Sequence, residues 1–289
     1  MRSPDYNYDY AVIGGDRRQT YLTEMFARES GRVCYFALCE KPKEGDLADS
    51  LLRLCGAAPC VVGPVPFSKN GDILNQSADA QALPIDQILS HMNAGQTFVA
   101  GCIPEDFRLK AVQKGVRVFD LMKDPQLSVF NTLATAEGAI CEAIKRSPFN
   151  LRHSFCAVLG YGKCGNTITS YLKGMHCHVY AAANPLGECA QAALVADEAG
   201  SLEEFASLAG KFDYVFNTIP APVMGREILE KIKPSAVIVD IASAPGGVDY
   251  EAAEKLGLCA VLCPGLPGKY APASSAEAMK KVIERFLKE

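Results

Sequence analysis

Residues 155–165 read Phe-Cys-Ala-Val-Leu-Gly-Tyr-Gly-Lys-Cys-Gly, and their reading decides the fold. The apolar run Phe155–Leu159 predicts a buried strand. It leads directly into Gly160-Tyr161-Gly162-Lys163-Cys164-Gly165, after which 166–173 reads as a helix. A Gly-x-Gly-x-x-Gly spacing alone is a weak signal. Between a strand and a helix it becomes the fingerprint of a dinucleotide-binding βαβ unit. Gly160 permits the tight turn, Gly162 leaves room for the pyrophosphate, and Gly165 lets helix and strand pack closely. The N–H groups at the helix start then face the phosphates. The competing reading is a plain strand–helix turn.

Outward from this stretch, short apolar runs alternate with helical stretches on both sides. Tyr10–Ile13, 33–38, Cys60–Val62, Thr97–Ala100 and 116–119 read as strands in the first half, with a helix over 17–29. The second half repeats the pattern in Phe155–Leu159, 177–183, Tyr214–Asn217, Val237–Asp240 and Cys259–Leu262. Strands separated by helices imply parallel sheets. Between the halves, Val129, Leu133, Ala136, Ile140 and Ile144 recur every three to four residues, the mark of one face of a long helix, Pro125–Arg146, stopped by Pro148. The expected fold is therefore α/β, with two Rossmann-like domains containing parallel sheets, joined by a long helix. Residues 1–124 form a substrate or partner domain, 125–150 the connection, and 151–274 the dinucleotide-binding domain. A last helix over 275–289 packs back on the first domain through Met279, Val282, Ile283, Phe286 and Leu287, with Ser274 and Glu277 as its capping box. Residues 63–84, rich in Pro, Gly, Ser and Asn, read as a long surface loop.

Composition narrows the function. In 289 residues, 49% hydrophobic content supports a packed core, and a formal net charge of −4 argues against a nucleic-acid partner. No run of 18 apolar residues predicts a membrane span, and Met1-Arg2-Ser3-Pro4-Asp5-Tyr6 has no signal-peptide core, so a cytoplasmic location is expected. The 12 cysteines include no Cys-x-x-Cys pair and sit mostly in apolar runs, as buried reduced thiols do. His176 and His178 could share one face of a strand but have no acidic partner in sequence, so no metal is expected.

The ligand of an open parallel sheet lies beyond the carboxyl ends of its strands. Cofactor contacts are therefore expected from Gly160, Tyr161, Gly162, Lys163, Cys164, Gly165, Asn184, Asn217, Thr218, Ile219, Pro220 and Ala242. The adenosine-side strand ends Ala181-Ala182-Ala183-Asn184, without the carboxylate that selects NAD. NADP is favoured and NAD stays open. Arg17, Arg18, Lys269 and Ser243 are candidates for binding substrate. For the two arginines, a carboxylate anchor and a solvated helix face are equally weighted readings. The catalytic group is unknown; Ser243, Lys269, Glu137 and Asp16 are weak candidates.

Together these segments resemble the A subunit of bacterial dipicolinate synthase. The matching stretches are Val12-Ile-Gly-Gly-Asp-Arg-Arg-Gln19, Thr135-Ala-Glu-Gly-Ala139, the glycine loop, and Phe216-Asn-Thr-Ile-Pro-Ala-Pro222. They continue with Asp240-Ile-Ala-Ser-Ala-Pro-Gly-Gly247 and Pro264-Gly-Leu-Pro-Gly-Lys-Tyr-Ala-Pro272. The resemblance implies an NAD(P)-dependent oxidoreductase that converts a dihydrodipicolinate-type intermediate of the lysine pathway, such as 4-hydroxy-tetrahydrodipicolinate, to dipicolinate for sporulation. It implies a flavoprotein-like partner, the B subunit, together with a small dicarboxylate substrate, homo- or hetero-oligomers, and the mother-cell cytoplasm of a spore-former. It also leads one to expect basic residues near 244 and 273, where this chain has Ala244 and Ala273. Two other readings stay open. One is a two-domain NADP-dependent dehydrogenase resembling shikimate or methylene-tetrahydrofolate dehydrogenases. The other is a cofactor-binding assembly subunit without turnover.

Overall fold

The computed structural model describes residues 6–77, 81–184 and 186–289. The chain divides into two compact units. One runs to Phe130 and takes in Ala271–Glu289; the other is Asn131–Tyr270. The divide falls inside the helix Pro125–Arg146.

The first unit is built on six parallel strands: β1 (Tyr10–Ile13), β2 (Val33–Phe36), β3 (Asp46–Leu47), β4 (Cys60–Val62), β5 (Thr97–Ala100) and β6 (Arg117–Asp120). Their order in the sheet is β3-β2-β1-β4-β5-β6. Central β1 pairs on one side with β2, Tyr10 opposite Val33, and on the other with β4, Tyr10 opposite Cys60. The second unit repeats this arrangement with β7 (Phe155–Leu159), β8 (His178–Ala182), β9 (Glu198–Gly200), β10 (Tyr214–Asn217), β11 (Val237–Asp240) and β12 (Cys259–Leu262). Its order is β12-β11-β10-β7-β8-β9. Each sheet reverses its winding direction once, between β1 and β4 and between β7 and β10. This is the doubly wound Rossmann arrangement, with a ligand crevice expected at each reversal. The short edge strands β3 and β9 go beyond the sequence reading, because Asp46-Leu47 and Glu198-Ala199-Gly200 are not apolar runs.

Helices cover both faces of each sheet. In the first unit, Leu22 and Phe26 of the helix Arg17–Ser30 share a core with Ala276, Met279, Val282 and Ile283 of the helix Pro272–Lys288. Phe286 stacks on Phe119 at 4.1 Å. That last helix begins at Pro272, so Ser274 lies inside its first turn and is not a cap, and Glu277 pairs with Lys281 instead. Pro at the first helical position starts the helix earlier than a capping box would.

The long helix has the expected bounds, but only part of the expected face is buried. Ala136, Ala139, Ile140 and Ala143 enter the core of the second unit, while Val129 (55% exposed), Leu133 and Ile144 do not. Small side chains let this helix approach the sheet closely, which a count of large apolar residues misses. The 63–84 segment is likewise more than a surface loop. Phe67 and Leu74 are fully or almost fully buried, and the chain between them folds back so that Ser68 bridges Leu74. Residues 78–80 of that segment lie outside the described part. His176, with φ +61°, lies in the turn before β8, so it does not share a strand face with His178. All twelve cysteines are free thiols, but only six are buried and Cys102 is exposed.

Candidate functional site: the glycine cradle of the second unit

The helix Lys163–Gly174 begins three residues earlier than its apolar periodicity suggests, directly on the glycine loop. Gly160 has φ +89°, and a Cβ there would stand 2.4 Å from Thr218 Oγ1. A Cβ on Gly165 would sit 2.0 Å from the Gly160 carbonyl oxygen. These two glycines are required by the fold itself. Gly162 is different. Its φ of −66° suits any residue, and nothing lies within 4 Å of the position its Cβ would take. Gly162 caps the helix without a side chain, so no side chain competes for the first-turn N–H groups. Open space before a bare helix start is a cradle that fits a pyrophosphate.

Opposite the loop stands the turn after β10. Thr218 donates from both its backbone N and its Oγ1 to the Leu159 carbonyl, each at 2.9 Å, which locks the ends of β7 and β10 together. Asn217 is fully buried. Its Nδ2 donates to the Ile219 carbonyl at 3.1 Å and to Asp240 Oδ1 at 2.9 Å, while its Oδ1 accepts from the Ile219 N–H. The Asn217 side chain is thus occupied in shaping the turn, and only the turn's backbone, Ile219 and Pro220 are left to meet a ligand.

Asp240, paired in register with Asn217 and fully buried, is the residue that sequence reasoning missed. Oδ1 also accepts from the Ala242 N–H at 3.0 Å; Oδ2 accepts from the Gly247 N–H at 2.7 Å and from the Tyr250 hydroxyl at 2.8 Å. Burial raises the Tyr250 pKa, and the bond to Asp240 raises it further. The signal was present in the sequence: two polar residues, Asn217 and Asp240, end two otherwise apolar strands.

The remaining candidates separate. Tyr161 is buried against Ala181, Ala183 and Ala192. Its ring is spent on this packing, so the backbone is what Tyr161 offers a phosphate. Cys164 is half-buried, and burial raises its thiol pKa. Lys163 and Asn184 are exposed, as is Ser243, while Ala242 is buried. Lys269 lies in a short helix, Leu266–Tyr270, and pairs with the buried Glu142, which also accepts from Tyr270 and Arg146. Burial by itself would raise the Glu142 pKa, but the bonds from Lys269, Tyr270 and Arg146 outweigh it and hold the carboxyl down at about 2. Glu137 is mid-helix, exposed, and accepts from the Tyr171 hydroxyl at 3.3 Å.

In the first unit, Asp16 caps the helix Arg17–Ser30, with Gln19 completing a capping box. Arg17 is a surface residue paired with Glu40 at 3.3 Å. Arg18 is buried. Its Nε and Nη2 bond Asp16, and Nη2 also reaches the Val65 carbonyl. The crevice here is filled by the protein's own chain. The Gly15 N–H donates to the Asn75 carbonyl at 2.7 Å, and Leu74 Cδ2 lies 2.7 Å from where a Gly14 Cβ would be.

Residues 9–122 match the family model of the N-terminal domain of the dipicolinate synthase A subunit. The dipicolinate synthase A subunit of Bacillus subtilis is 27% identical over 96% of this chain and 95% of its own length. The chain is thus similar along almost its whole length to a dipicolinate synthase A subunit. The crystal structure of the A subunit of the Bacillus halodurans dipicolinate synthase superposes with a TM-score of 0.85 at 22% identity, over 98% of this chain and 99% of that one. Outside the dipicolinate synthases, a transhydrogenase from Sinorhizobium meliloti shares the fold, with a TM-score of 0.67 at 16% identity over 96% and 92% of the two chains. No helix among the described residues is long and apolar enough to cross a membrane.

Proposed function

We propose that this chain is the nicotinamide-dependent A subunit of a dipicolinate synthase. Its substrate would be a cyclic dicarboxylate at the tetrahydropyridine level, 4-hydroxy-tetrahydrodipicolinate, which loses water and then two electrons to become the aromatic pyridine dicarboxylate. The observation that carries this reading is the open Gly162 cradle in a chain related over its whole length to the A subunit. A nicotinamide supplies one piece of chemistry, acceptance of a hydride from the ring. The chain does the rest. Gly160–Gly165 receives the pyrophosphate through backbone N–H groups, and the Asn217–Asp240 pair holds the Thr218-Ile219-Pro220 turn rigid beside it. Residues 181–184 hold no carboxylate to repel a 2′-phosphate, which supports NADP over NAD.

The partner in this reading is the flavoprotein-like B subunit, and the setting is the mother-cell cytoplasm during sporulation. The test is to combine the purified chain with that partner, NADP and the hydroxylated substrate, and to follow dipicolinate and reduced cofactor together. Stoichiometric appearance of both is expected. Oxidation of shikimate or methylene-tetrahydrofolate instead would move the chain to the wider dehydrogenase group. Binding of cofactor and partner without any turnover would make it an assembly subunit.

A further inference from the structure

The three cations that sequence marks for a substrate carboxylate are not equivalent in the structure. Lys269 is held by the buried Glu142. Arg17 is 49% exposed in its side chain and pairs with Glu40 across the surface. Arg18 is only 4% exposed, and its guanidinium is fixed on two sides. Asp16 takes Nε and Nη2, at 2.9 and 2.7 Å, and the Val65 carbonyl accepts from Nη2 as well. The third nitrogen, Nη1, makes no hydrogen bond among the described residues, and it is not among the buried unpaired atoms. It is therefore the one nitrogen of a clamped guanidinium left over for a ligand. On the same first turn, the Gln19 amide nitrogen is buried without a partner among the described residues.

This edge lies at the winding reversal of the first sheet, where the fold places a ligand. Residues 74 and 75 already fill the part over Gly14 and Gly15 that a pyrophosphate would need. A small ligand is what remains. Asp16 next to the guanidinium disfavours a phosphate dianion and tolerates a carboxylate. A guanidinium already fixed in place loses little side-chain freedom on binding.

We propose that Arg18, through its free Nη1 edge, is the carboxylate anchor of the first unit, and that its ligand is a small cyclic dicarboxylate. This rests on the substrate class proposed above. The neighbouring turn provides an independent reporter. Val65, whose carbonyl Arg18 holds, packs against Gly101, with a Cβ position there 2.6 Å from Val65 Cγ1. The next residue, Cys102, has φ +54° and an exposed thiol, and its turn is held by Asp120, which accepts from the N–H groups of Cys102 and Ile103. Burial raises the pKa of that thiol and Asp120 raises it further, while Arg18 acts on it in the opposite direction.

The experiment titrates the full chain, with NADP present and metals removed, with pyridine-2,6-dicarboxylate. Wild type, Arg18→Lys and Arg17→Ala are compared by calorimetry. In parallel, iodoacetamide labelling of Cys102 and Cys259 in the wild type is followed by peptide mass spectrometry. Arg18→Lys keeps the charge but loses the fork, and binding should weaken about tenfold to hundredfold, the span of a charge-assisted hydrogen bond. Arg17→Ala should lose less. The ligand should slow labelling of Cys102 severalfold and leave Cys259 unchanged. If Arg18→Lys does not fold, the wild-type labelling decides alone. Undiminished binding by Arg18→Lys, a larger loss in Arg17→Ala, or protection of Cys259 instead of Cys102 overturns the anchor while leaving the proposed function standing. No binding by the wild type overturns both.

Discussion

Replacing Gly162 by Asp should separate cofactor binding from folding, with effects of opposite sign. The position has extended backbone that any residue adopts, and empty space where a side chain would go. It is also the N-cap of a twelve-residue helix that has no side-chain cap. Asp is among the best N-cap residues and improves on Gly by a few tenths of a kcal/mol. The free protein should therefore melt at the same temperature or about 1 °C higher. The same carboxylate would occupy the space in front of the helix where a pyrophosphate is received. At about 4 Å and an effective dielectric constant of about 20, one like-charge pair costs about 4 kcal/mol, which is about a thousandfold in affinity. Gly162→Ala provides the intermediate case, bulk without charge. The assay is a thermal melt with and without NADPH, backed by a direct titration. An affinity within twofold of wild type would refute the cradle. A melting temperature several degrees lower would show that Gly162 serves the fold instead.

Asp240→Ala should lower stability by about 3–5 kcal/mol, since it strips a buried acceptor from four donors; chemical denaturation checks this, and an intact midpoint would show that the Asn217–Asp240 pair is dispensable. Glu142 has its pKa lowered in the folded state, to about 2 against 4.5 in the open chain. Its contribution to stability is thus fully present above about pH 4.5 and is lost as the pH falls from there towards 2. Glu142→Gln should flatten that segment of the stability–pH curve, and an unchanged slope would contradict the assignment. Deleting residues 272–289 removes Met279, Val282 and Ile283 from the first core, at about 1.5–3 kcal/mol each; a truncated chain with the wild-type melting curve would count against that helix as part of the first unit.

The sequence carried the architecture because buried parallel strands are continuous apolar runs, and ten of the twelve stand out as such. Two-residue β3 and three-residue β9 lie at sheet edges and are not apolar runs. The long helix shows a sharper limit. Of the expected series, Val129, Leu133 and Ile144 stay exposed, while Ala136 and Ile140 are buried together with Ala139 and Ala143. Periodicity reports where apolar side chains recur, not which face a close-packed helix turns inward. At the site, the glycine spacing was legible because Gly160 and Gly165 answer local steric demands. The Asn217–Asp240 pair was legible only as two polar strand ends, because their meeting depends on β10 and β11 being neighbours in register. Arg17 and Arg18 are adjacent in sequence and equal in charge. Only the positions of Asp16, Glu40 and Val65 make one a surface residue and the other a clamped one.

The chain segment lying on Gly14 and Gly15 acts as a competitor that cannot diffuse away. A tethered occupant works at an effective concentration of the order of millimolar or above, whatever the dilution of the protein. A dinucleotide of micromolar affinity would have to displace Leu74 and the Gly15–Asn75 hydrogen bond against that constant opposition. Two copies of one topology therefore do not amount to two equivalent vessels for the same cofactor. Saturation should come at one dinucleotide per chain, and raising the cofactor level should not load a second.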